Sequence, residues 1–249
     1  MSDSPHRPLA GRLALVTGAS KGIGASAAAH LARLGARLVL AARSEEGLQK
    51  VAAAVAELES EALPVQCDLS QPEQVERLFA AARELGPLDV LVNNAALLHA
   101  GPLAETSDAD WQAMVDLNLT AVFRCCRAAL GDMLPRRRGV IVNVASVSGI
   151  SGVPKLGGLV GYAATKGGVI ALSEALAAEV APEGVRVVAL SPGAVKTDML
   201  RSVAPEREEI AMTPGQVGRV IAWLASDDAA AVRETNITVW GPPATPPAG

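Results

Sequence analysis

The stretch Thr17-Gly18-Ala19-Ser20-Lys21-Gly22-Ile23-Gly24 decides the fold. It follows an apolar run at Leu13–Thr17, which predicts a strand, and leads into an alanine-rich run at Ala25–Leu34, which predicts a helix. Free N–H groups and the positive end of a helix face an anion at such a turn. Gly18 permits the tight turn, Gly22 lets a diphosphate approach the backbone, and Gly24 lets helix and strand pack closely. The sequence therefore predicts a nucleotide site that opens a βαβ unit.

Six more β-like runs follow, with helix-like stretches between them. They lie at Leu38–Ala42, Val65–Cys67, Val90–Asn93, Val140–Val144, Val185–Leu190 and Ile237–Val239. Such apolar runs suit strands of a parallel sheet that is buried on both faces. The connector Ser70-Gln71-Pro72-Glu73 predicts a helix start with a capping box. We expect one α/β domain over residues 1–249, a Rossmann-type doubly wound sandwich, with flexible tails at 1–8 and 241–249.

The composition excludes several classes of protein. The chain of 249 residues has 22 Lys plus Arg against 26 Asp plus Glu, a net charge of −4, and 50% apolar residues. These values disfavour a disordered chain and a basic nucleic-acid binder. No run reaches the roughly 18 consecutive apolar residues that a membrane-spanning helix requires. We therefore expect neither nucleic acid nor membrane as a partner.

The cysteines and histidines predict no metal site. Cys67, Cys125 and Cys126 lack CxxC spacing, and the three histidines are scattered along the chain. The amino terminus lacks the apolar core of a signal peptide. We expect a reducing, cytoplasmic environment.

The residues after the second strand indicate the type of nucleotide. An NAD site places a carboxylate there against the ribose 2′-hydroxyl, but this chain reads Ala41-Ala42-Arg43-Ser44. The Arg43 guanidinium suits a 2′-phosphate, and Lys21 adds a second cation, so NADP(H) is favoured over NAD(H). Both cations could instead be solvated surface charges. Asp68 could accept a hydrogen bond from the adenine amine or simply begin a turn.

Tyr162 and Lys166 predict acid–base chemistry. Tyr162 is the only tyrosine, and Lys166 follows it at the i+4 position, on the same face of a helix. A free phenol has a pKa of about 10 and exchanges protons poorly at neutral pH. An ammonium about 4 Å away favours the phenolate by about 4 kcal/mol at an effective dielectric constant of about 20. We therefore expect Lys166 to lower the pKa of Tyr162 towards physiological pH.

Together these motifs resemble the short-chain dehydrogenase/reductase family, in its compact single-domain branch, from about Leu9 to about Leu224. The resemblance rests on TGASKGIG at 17–24, CDL at 67–69, NNAA at 93–96, Asn118, Ser146, YAATK at 162–166 and SPG at 191–193. It implies a seven-stranded parallel sheet, and homodimers or homotetramers built on the helices that contain Asn118 and Tyr162.

The resemblance also implies a role for each site residue. Tyr162 would be the general acid/base, while Lys166 would lower its pKa and hold the nicotinamide ribose. Ser146 would bond the substrate oxygen, and Asn118 would anchor a water relay to Lys166. Asn93 would shape the wall beside the cofactor, and Thr197 would touch the nicotinamide end. The implied cofactor-binding residues are Gly18, Ser20, Lys21, Gly22, Ile23, Gly24, Arg43, Asp68, Leu69, Asn94, Ala95, Tyr162, Lys166, Pro192, Gly193, Val195 and Thr197.

The sequence departs from the family pattern at three places. Ala96 replaces the usual glycine of NNAG, and the 16-residue separation of Ser146 and Tyr162 is longer than usual. The last strand region, Asn236–Trp240, lacks the usual TG before it and the aspartate-glycine pair after it. These departures border the expected substrate pocket and oligomer contacts.

The segment Val195–Met212 is expected to form a mobile lid over an apolar carbonyl or alcohol substrate. Met199, Leu200, Val203, Ile210 and Met212 would offer apolar surface, and Arg201 and Arg207 would offer charge.

Three functions remain open from the sequence. The first is an NADPH-dependent carbonyl reductase, or an alcohol dehydrogenase in reverse. The second is a 3-oxoacyl-thioester reductase, in which the run Arg136–Arg138 could meet an acidic carrier protein or be a solvated turn. The third is a non-catalytic nucleotide sensor or scaffold.

Overall fold

The computed structural model describes residues 7–232 and 234–241. Its strands are β1 Leu13–Thr17, β2 Arg37–Ala42, β3 Ala62–Gln66, β4 Val90–Asn93, β5 Gly139–Val144, β6 Val185–Pro192 and β7 Asn236–Val239. Its α-helices are α1 Gly22–Arg33, α2 Glu45–Ala56, α3 Pro72–Leu85, α4 Asp108–Val115, α5 Ala121–Met133, α6 Val160–Val180, α7 Asp198–Val203 and α8 Pro214–Ala225. A π-helical turn, Asp116–Thr120, joins α4 to α5.

The strands form one parallel sheet in the order β3-β2-β1-β4-β5-β6-β7. The strand order reverses between β1 and β4, so the carboxyl ends of these strands flank a crevice, which is where ligands bind in open α/β sheets. This topology confirms the predicted doubly wound α/β fold with seven parallel strands.

Two apolar layers cover the two faces of the sheet. Successive residues of β1 alternate between them, with Val16 in one layer and Leu15 in the other. The first layer includes α1, α2 and α8 through residues such as Leu31 and Ile221, and the second includes α3, α5 and α6. The strands are therefore buried on both faces, which explains their nearly continuous apolar sequence.

The predicted strands and the first helix are all present, with shifts at their ends. The largest shifts are of three residues: β3 begins at Ala62 rather than at Val65, and α1 begins at Gly22 rather than at Ala25. The predicted tails fall outside the described residues except for Arg7, Pro8 and Gly241.

The predicted capping box at Ser70–Glu73 is wrong. Gln71, rather than Ser70, occupies the N-cap position of α3, and its side chain makes no capping hydrogen bond. The amide and hydroxyl of Ser70 instead donate to Asp68 Oδ1 at 3.0 and 2.8 Å. A capping box does occur at the start of α8, between Thr213 and Gln216.

The described residues contain neither a candidate membrane-spanning helix nor a cluster of candidate metal ligands. No helix among them is long and apolar enough to cross a membrane. No three of their His, Cys, Asp or Glu side chains are grouped as metal ligands.

A substitution at Gly24 tests how closely α1 must approach β1. A Cβ at this position would lie 2.3 Å from Gly18 O and 2.6 Å from Asn94 Nδ2. We expect Gly24→Ala to lower the free energy of unfolding by about 1–3 kcal/mol, because the helix must move off the strand. Gly157→Ala is the control, since a Cβ there meets nothing within 4 Å. Urea denaturation followed by circular dichroism measures both variants, and equal stabilities would contradict the close approach.

Candidate active site

A cleft of about 1030 Å³ lies at the carboxyl ends of the strands. Every catalytic and cofactor residue predicted from the sequence lines this cleft except Gly24 and Asn118. The structure thus brings together residues that are up to 179 positions apart, from Gly18 to Thr197.

The glycine turn forms one end of the cleft. Gly18 and Gly22 have positive φ angles of 63° and 59°, which favour glycine. A Cβ at Gly18 would lie 2.9 Å from the Ala95 backbone, whereas one at Gly22 would meet only the Thr197 methyl at 3.5 Å. The helix α1 begins at Gly22, and Lys21 provides no side-chain cap for its first N–H groups. These N–H groups are donors at the positive end of the helix, as an anion site requires.

Arg43 stands at the end of β2 and lines the same end of the cleft. Its guanidinium is exposed and forms no hydrogen bond or ion pair with any residue that the structure describes; only its carbonyl is used, by Gln66 Nε2 at 3.0 Å. Lys21 differs, because its ammonium donates to Asp198 Oδ2 at 2.6 Å. The glycine turn is therefore linked to α7, the helix of the expected lid.

Asp68 and Leu69 continue the wall beside Arg43. Asp68 Oδ1 accepts the two hydrogen bonds from Ser70, so this residue does begin a turn. Its side chain still lines the cleft, and the two interpretations given by the sequence are compatible.

The two asparagines after β4 have different positions. Asn94 lines the cleft, and its Nδ2 donates to Thr17 O at 2.9 Å and to Gly18 O at 3.2 Å. Asn93 lies inside the sheet, where its Nδ2 donates to Asn143 Oδ1 at 2.9 Å. Asn93, which was expected to form the wall beside the cofactor, therefore does not line the cleft, whereas Asn94 does.

Tyr162, Lys166 and Ser146 meet at the other end of the cleft. Tyr162 and Lys166 lie one turn apart on α6, and Lys166 Nζ is 5.7 Å from the centre of the tyrosine ring. The ammonium donates to Val144 O at 2.7 Å, at the end of β5. Ser146 Oγ accepts a hydrogen bond from Ser148 N at 3.1 Å and its hydroxyl hydrogen-bonds the phenol of Tyr162.

Burial reverses the expected effect on the tyrosine. It raises the pKa of Tyr162 to about 12, and the hydrogen bond from Ser146 only partly opposes this rise. Burial also lowers the pKa of Lys166 to about 8. The expectation that Lys166 brings the pKa of the phenol close to physiological pH is therefore wrong. Removal from water destabilises the phenolate by more than its polar neighbours stabilise it.

Asn118 and Thr197 each make hydrogen bonds to the protein itself. Asn118 is fully buried in the π-helical turn and lies outside the cleft. Its Nδ2 donates to Leu97 O at 2.8 Å and to Thr165 Oγ1 at 3.1 Å, and its Oδ1 accepts from Leu97 N at 2.7 Å. Thr197 caps α7 by accepting from Leu200 N at 3.3 Å, and also lines the cleft. Asn118 thus fixes the chain after β4 against α6.

The long segment between Ser146 and Tyr162 covers the catalytic end. Gly101 N donates to Gly158 O at 3.0 Å, so this segment is joined to the chain after β4. Leu156, Leu159 and Met199 pack in one apolar cluster with Tyr162. The lid and the long segment therefore meet beside the phenol.

Met212 is not part of the lid surface. It is 4% exposed and belongs to the core, because Lys196 N donates to its carbonyl at 2.8 Å and its own amide donates to Ala194 O at 3.0 Å. The lid thus has a fixed base. The charged pair Asp198 and Arg201, 2.5 Å apart, lies on α7.

Sequence reasoning missed three positioning residues. Thr17 Oγ1 accepts from Asn94 N at 2.9 Å and from Ala95 N at 3.1 Å. Gly149 lets the chain after β5 reach α6, since a Cβ there would be 2.5 Å from Gly167 N. Trp240 lines the cleft from beyond β7. Of these three residues, only Trp240 could be suspected from the sequence, because it lies in the carboxyl-terminal segment that departs from the family pattern.

The cleft fits a dinucleotide. The open face of Gly22 and the N–H groups of α1, which Lys21 leaves without a side-chain cap, suit a diphosphate. The residues that line the cleft lie at or near the carboxyl ends of all seven described strands.

Comparison with known proteins agrees with this architecture. The family profile described as short chain dehydrogenase matches residues 12–208. The 3-oxoacyl-[acyl-carrier-protein] reductase FabG of Escherichia coli (strain K12) is 34% identical over 241 residues, covering 93% of this chain and 96% of the relative. The 3beta-hydroxysteroid dehydrogenase 1 of Eggerthella lenta is 39% identical over 247 residues, covering 94% of each. The crystal structure of an actinorhodin polyketide ketoreductase with NADPH superimposes with a TM-score of 0.85 at 37% identity, covering 92% of this chain and 96% of that one.

The buried ammonium predicts a specific dependence of stability on pH. The pKa of Lys166 is about 8 in the folded chain and 10.5 ordinarily, so the unfolded chain binds more protons between these values. The penalty for burying Lys166 is therefore full below pH 8 and fades as the pH rises. Relative to Lys166→Met, the native chain should gain about 2 kcal/mol of unfolding free energy between about pH 7.5 and 9.5.

Urea titrations of both chains at several pH values measure this difference. Glu174→Gln, an exposed change on α6, is the control and should give a curve parallel to that of the native chain over the same range. A constant difference between the native chain and Lys166→Met would show that the ammonium has its ordinary pKa.

Proposed function

The chain belongs to the short-chain dehydrogenase/reductase family, and on that premise we propose that it is an NADPH-dependent reductase of a carbonyl group, or in reverse a dehydrogenase of a secondary alcohol. One observation carries the proposal: Tyr162, Ser146 and Lys166 meet in the same cleft as the glycine turn and Arg43. The predicted homo-oligomer and cytoplasmic location stay predictions.

The proposed cofactor residues divide into two groups. The glycine turn and the N–H groups of α1 would hold the diphosphate, and Arg43 would hold the 2′-phosphate. Lys166, Thr197 and the turn after β6 at Pro192 and Gly193 would hold the nicotinamide end. When bound, NADPH supplies the hydride for the reduction.

Tyr162 has the protonation state that reduction needs. Because its pKa is about 12, the phenol holds its proton across the physiological range and can donate it to the substrate oxygen. Ser146 accepts from Ser148 N, and its O–H, which bonds the phenol in this structure, would turn to donate to the substrate oxygen. Lys166, with a pKa of about 8, is placed beside the ring to assist the return of a proton to the phenol. These are the protonation states from which a reduction starts.

The second candidate is a 3-oxoacyl-thioester reductase, favoured by the name of the Escherichia coli relative. The run Arg136–Arg138 gives it no support. It precedes β5 and so lies at the amino ends of the strands, away from the cleft. Arg136 is paired with Asp89 at 2.8 Å, and Arg137 with Glu183 at 2.5 Å.

Replacing Tyr162 by Phe separates the catalytic proposal from the non-catalytic one. We expect turnover to fall by about 10²–10⁴, because the proton donor is lost while the ring still fills its apolar site. NADPH binding should be nearly unchanged. The measurement is NADPH oxidation with a panel of ketones, aldehydes and 3-oxoacyl thioesters, together with a direct NADPH titration.

Ser151→Ala is the control for this change. Ser151 lies on the same segment as Ser146 but is exposed and outside the cleft, so turnover should be retained. If Tyr162→Phe reduced every accepted substrate at the native rate, Tyr162 would not be the proton donor.

Arg43→Ala tests the choice of cofactor. We expect the Kd for NADPH to rise at least about tenfold, which corresponds to about 1.4 kcal/mol, while the Kd for NADH changes much less. Arg33→Ala, an exposed change near the opposite end of α1, is the control. Fluorescence titrations with the two cofactors measure both variants, and equal losses for NADPH and NADH would refute the 2′-phosphate contact.

A further inference from the structure

Trp240 occupies an unusual place for a large aromatic side chain. It follows β7 directly, and the pairing of Val239 with Pro192 brings it beside the turn after β6. A Cβ on Gly193 would be 3.0 Å from Cε3 and 3.5 Å from Cζ3 of the indole. Gly193 N donates to Val239 O at 2.9 Å. The indole therefore lies against the backbone at Gly193, where there is no room for a further side chain.

The indole also lies beside the base of the lid. Gly241, the next residue, approaches the lid so closely that a Cβ there would be 2.6 Å from Ile210 O. Trp240 is 59% exposed, although it lines the cleft that contains Tyr162. An apolar ring that is held at one edge and largely exposed can bind a ligand without a large loss of its own conformational freedom.

The surroundings of the phenol point to an apolar ligand. Leu97, Leu98, Leu156 and Met199 pack around Tyr162, Leu159 and Met114. The carboxylate and guanidinium of Asp198 and Arg201 bind each other, and Arg201 also bonds Glu208 at 2.9 Å. A carbonyl that reaches Tyr162 is thus flanked by aliphatic side chains, while the exposed indole offers the flat surface.

We propose that Trp240 determines substrate specificity by stacking on the ring of an aromatic ketone whose carbonyl is held by Tyr162 and Ser146. This inference rests on the proposed function. Aromatic pairs gain energy from offset stacking beyond the area they bury, and an open aliphatic chain does not. Trp240 therefore selects flat ketones over flexible ones of equal size.

The experiment compares α-tetralone, a ten-carbon aromatic ketone, with methyl octyl ketone, a ten-carbon open-chain ketone. For Trp240→Ala we expect KM for α-tetralone to rise about tenfold with kcat nearly unchanged, and KM for methyl octyl ketone to rise less than about threefold. Trp240→Phe keeps an aromatic face and should restore most of the α-tetralone KM. Trp223→Ala, on α8 and outside the cleft, is the control and should match the native chain.

A second measurement does not depend on turnover. The chain has three tryptophans, so Trp111→Phe with Trp223→Phe leaves Trp240 as the only one, and Trp111→Phe with Trp240→Phe leaves Trp223. In the presence of NADPH, α-tetralone should quench the tryptophan fluorescence of the first chain more than that of the second. The second chain corrects for the light that the ketone absorbs. Quenching without reduction of any ketone would overturn the proposed function and support the ring site.

Three results would overturn the role of Trp240. They are equal KM changes for the two ketones in Trp240→Ala, equal quenching of the two single-tryptophan chains, and failure of Trp240→Phe to restore the α-tetralone KM. A change in oligomeric state on size-exclusion chromatography, with equal KM changes, would assign the indole to a contact between copies of this chain.

Discussion

The burial of Tyr162 and Lys166 side by side on α6 is the constraint on which the catalytic end depends. The side chains are 9% and 2% exposed, and removal from water moves both pKa values towards the neutral form. The phenol keeps its proton and the ammonium loses its proton more easily. Gly149 allows this burial, because only a residue without a side chain lets the chain after β5 lie against the backbone of Lys166.

Local patterns predicted the fold well, and errors arose where partners distant in space or burial decided the outcome. The seven strands and the glycine turn depend on apolar runs and glycine spacing, which are properties of short segments. Ser70 was expected to cap α3, but the Asp68 carboxylate takes its hydroxyl. Asn93 and Asn94 are adjacent, and the register of β4 with β5 determines which of them points into the sheet. The charge of Lys166 predicts a lowered pKa for Tyr162, but the extent of burial, which sequence spacing does not reveal, raises this pKa instead.

The cations of the cofactor end have separate tasks that the sequence did not distinguish. Lys21 and Arg43 were both candidates for the 2′-phosphate, but Lys21 is bound to Asp198 on the lid helix. Asp198 is in turn bound to Arg201, and these two cations hold the pKa of its carboxyl below the usual range. Both partners are exposed, so the pair contributes little to stability. Its importance is its position, since it joins the glycine turn to the lid. The Arg43 guanidinium, by contrast, pairs with no residue in the described part of the chain.

One end of the cleft is formed mainly by backbone and the other mainly by side chains. This difference explains why the sequence matches the family at one end and departs from it at the other. The cofactor end is formed by backbone at Gly18, Gly22 and Gly24, where an added side chain would meet the backbone or need a strained φ angle. The substrate end is formed by side chains of the long segment before α6, the lid and Trp240. Loop side chains can change without disturbing the sheet, so this end can acquire a new specificity while the cofactor end stays fixed. The long segment before α6 and the indole after β7 therefore line the cleft without forming part of the sheet.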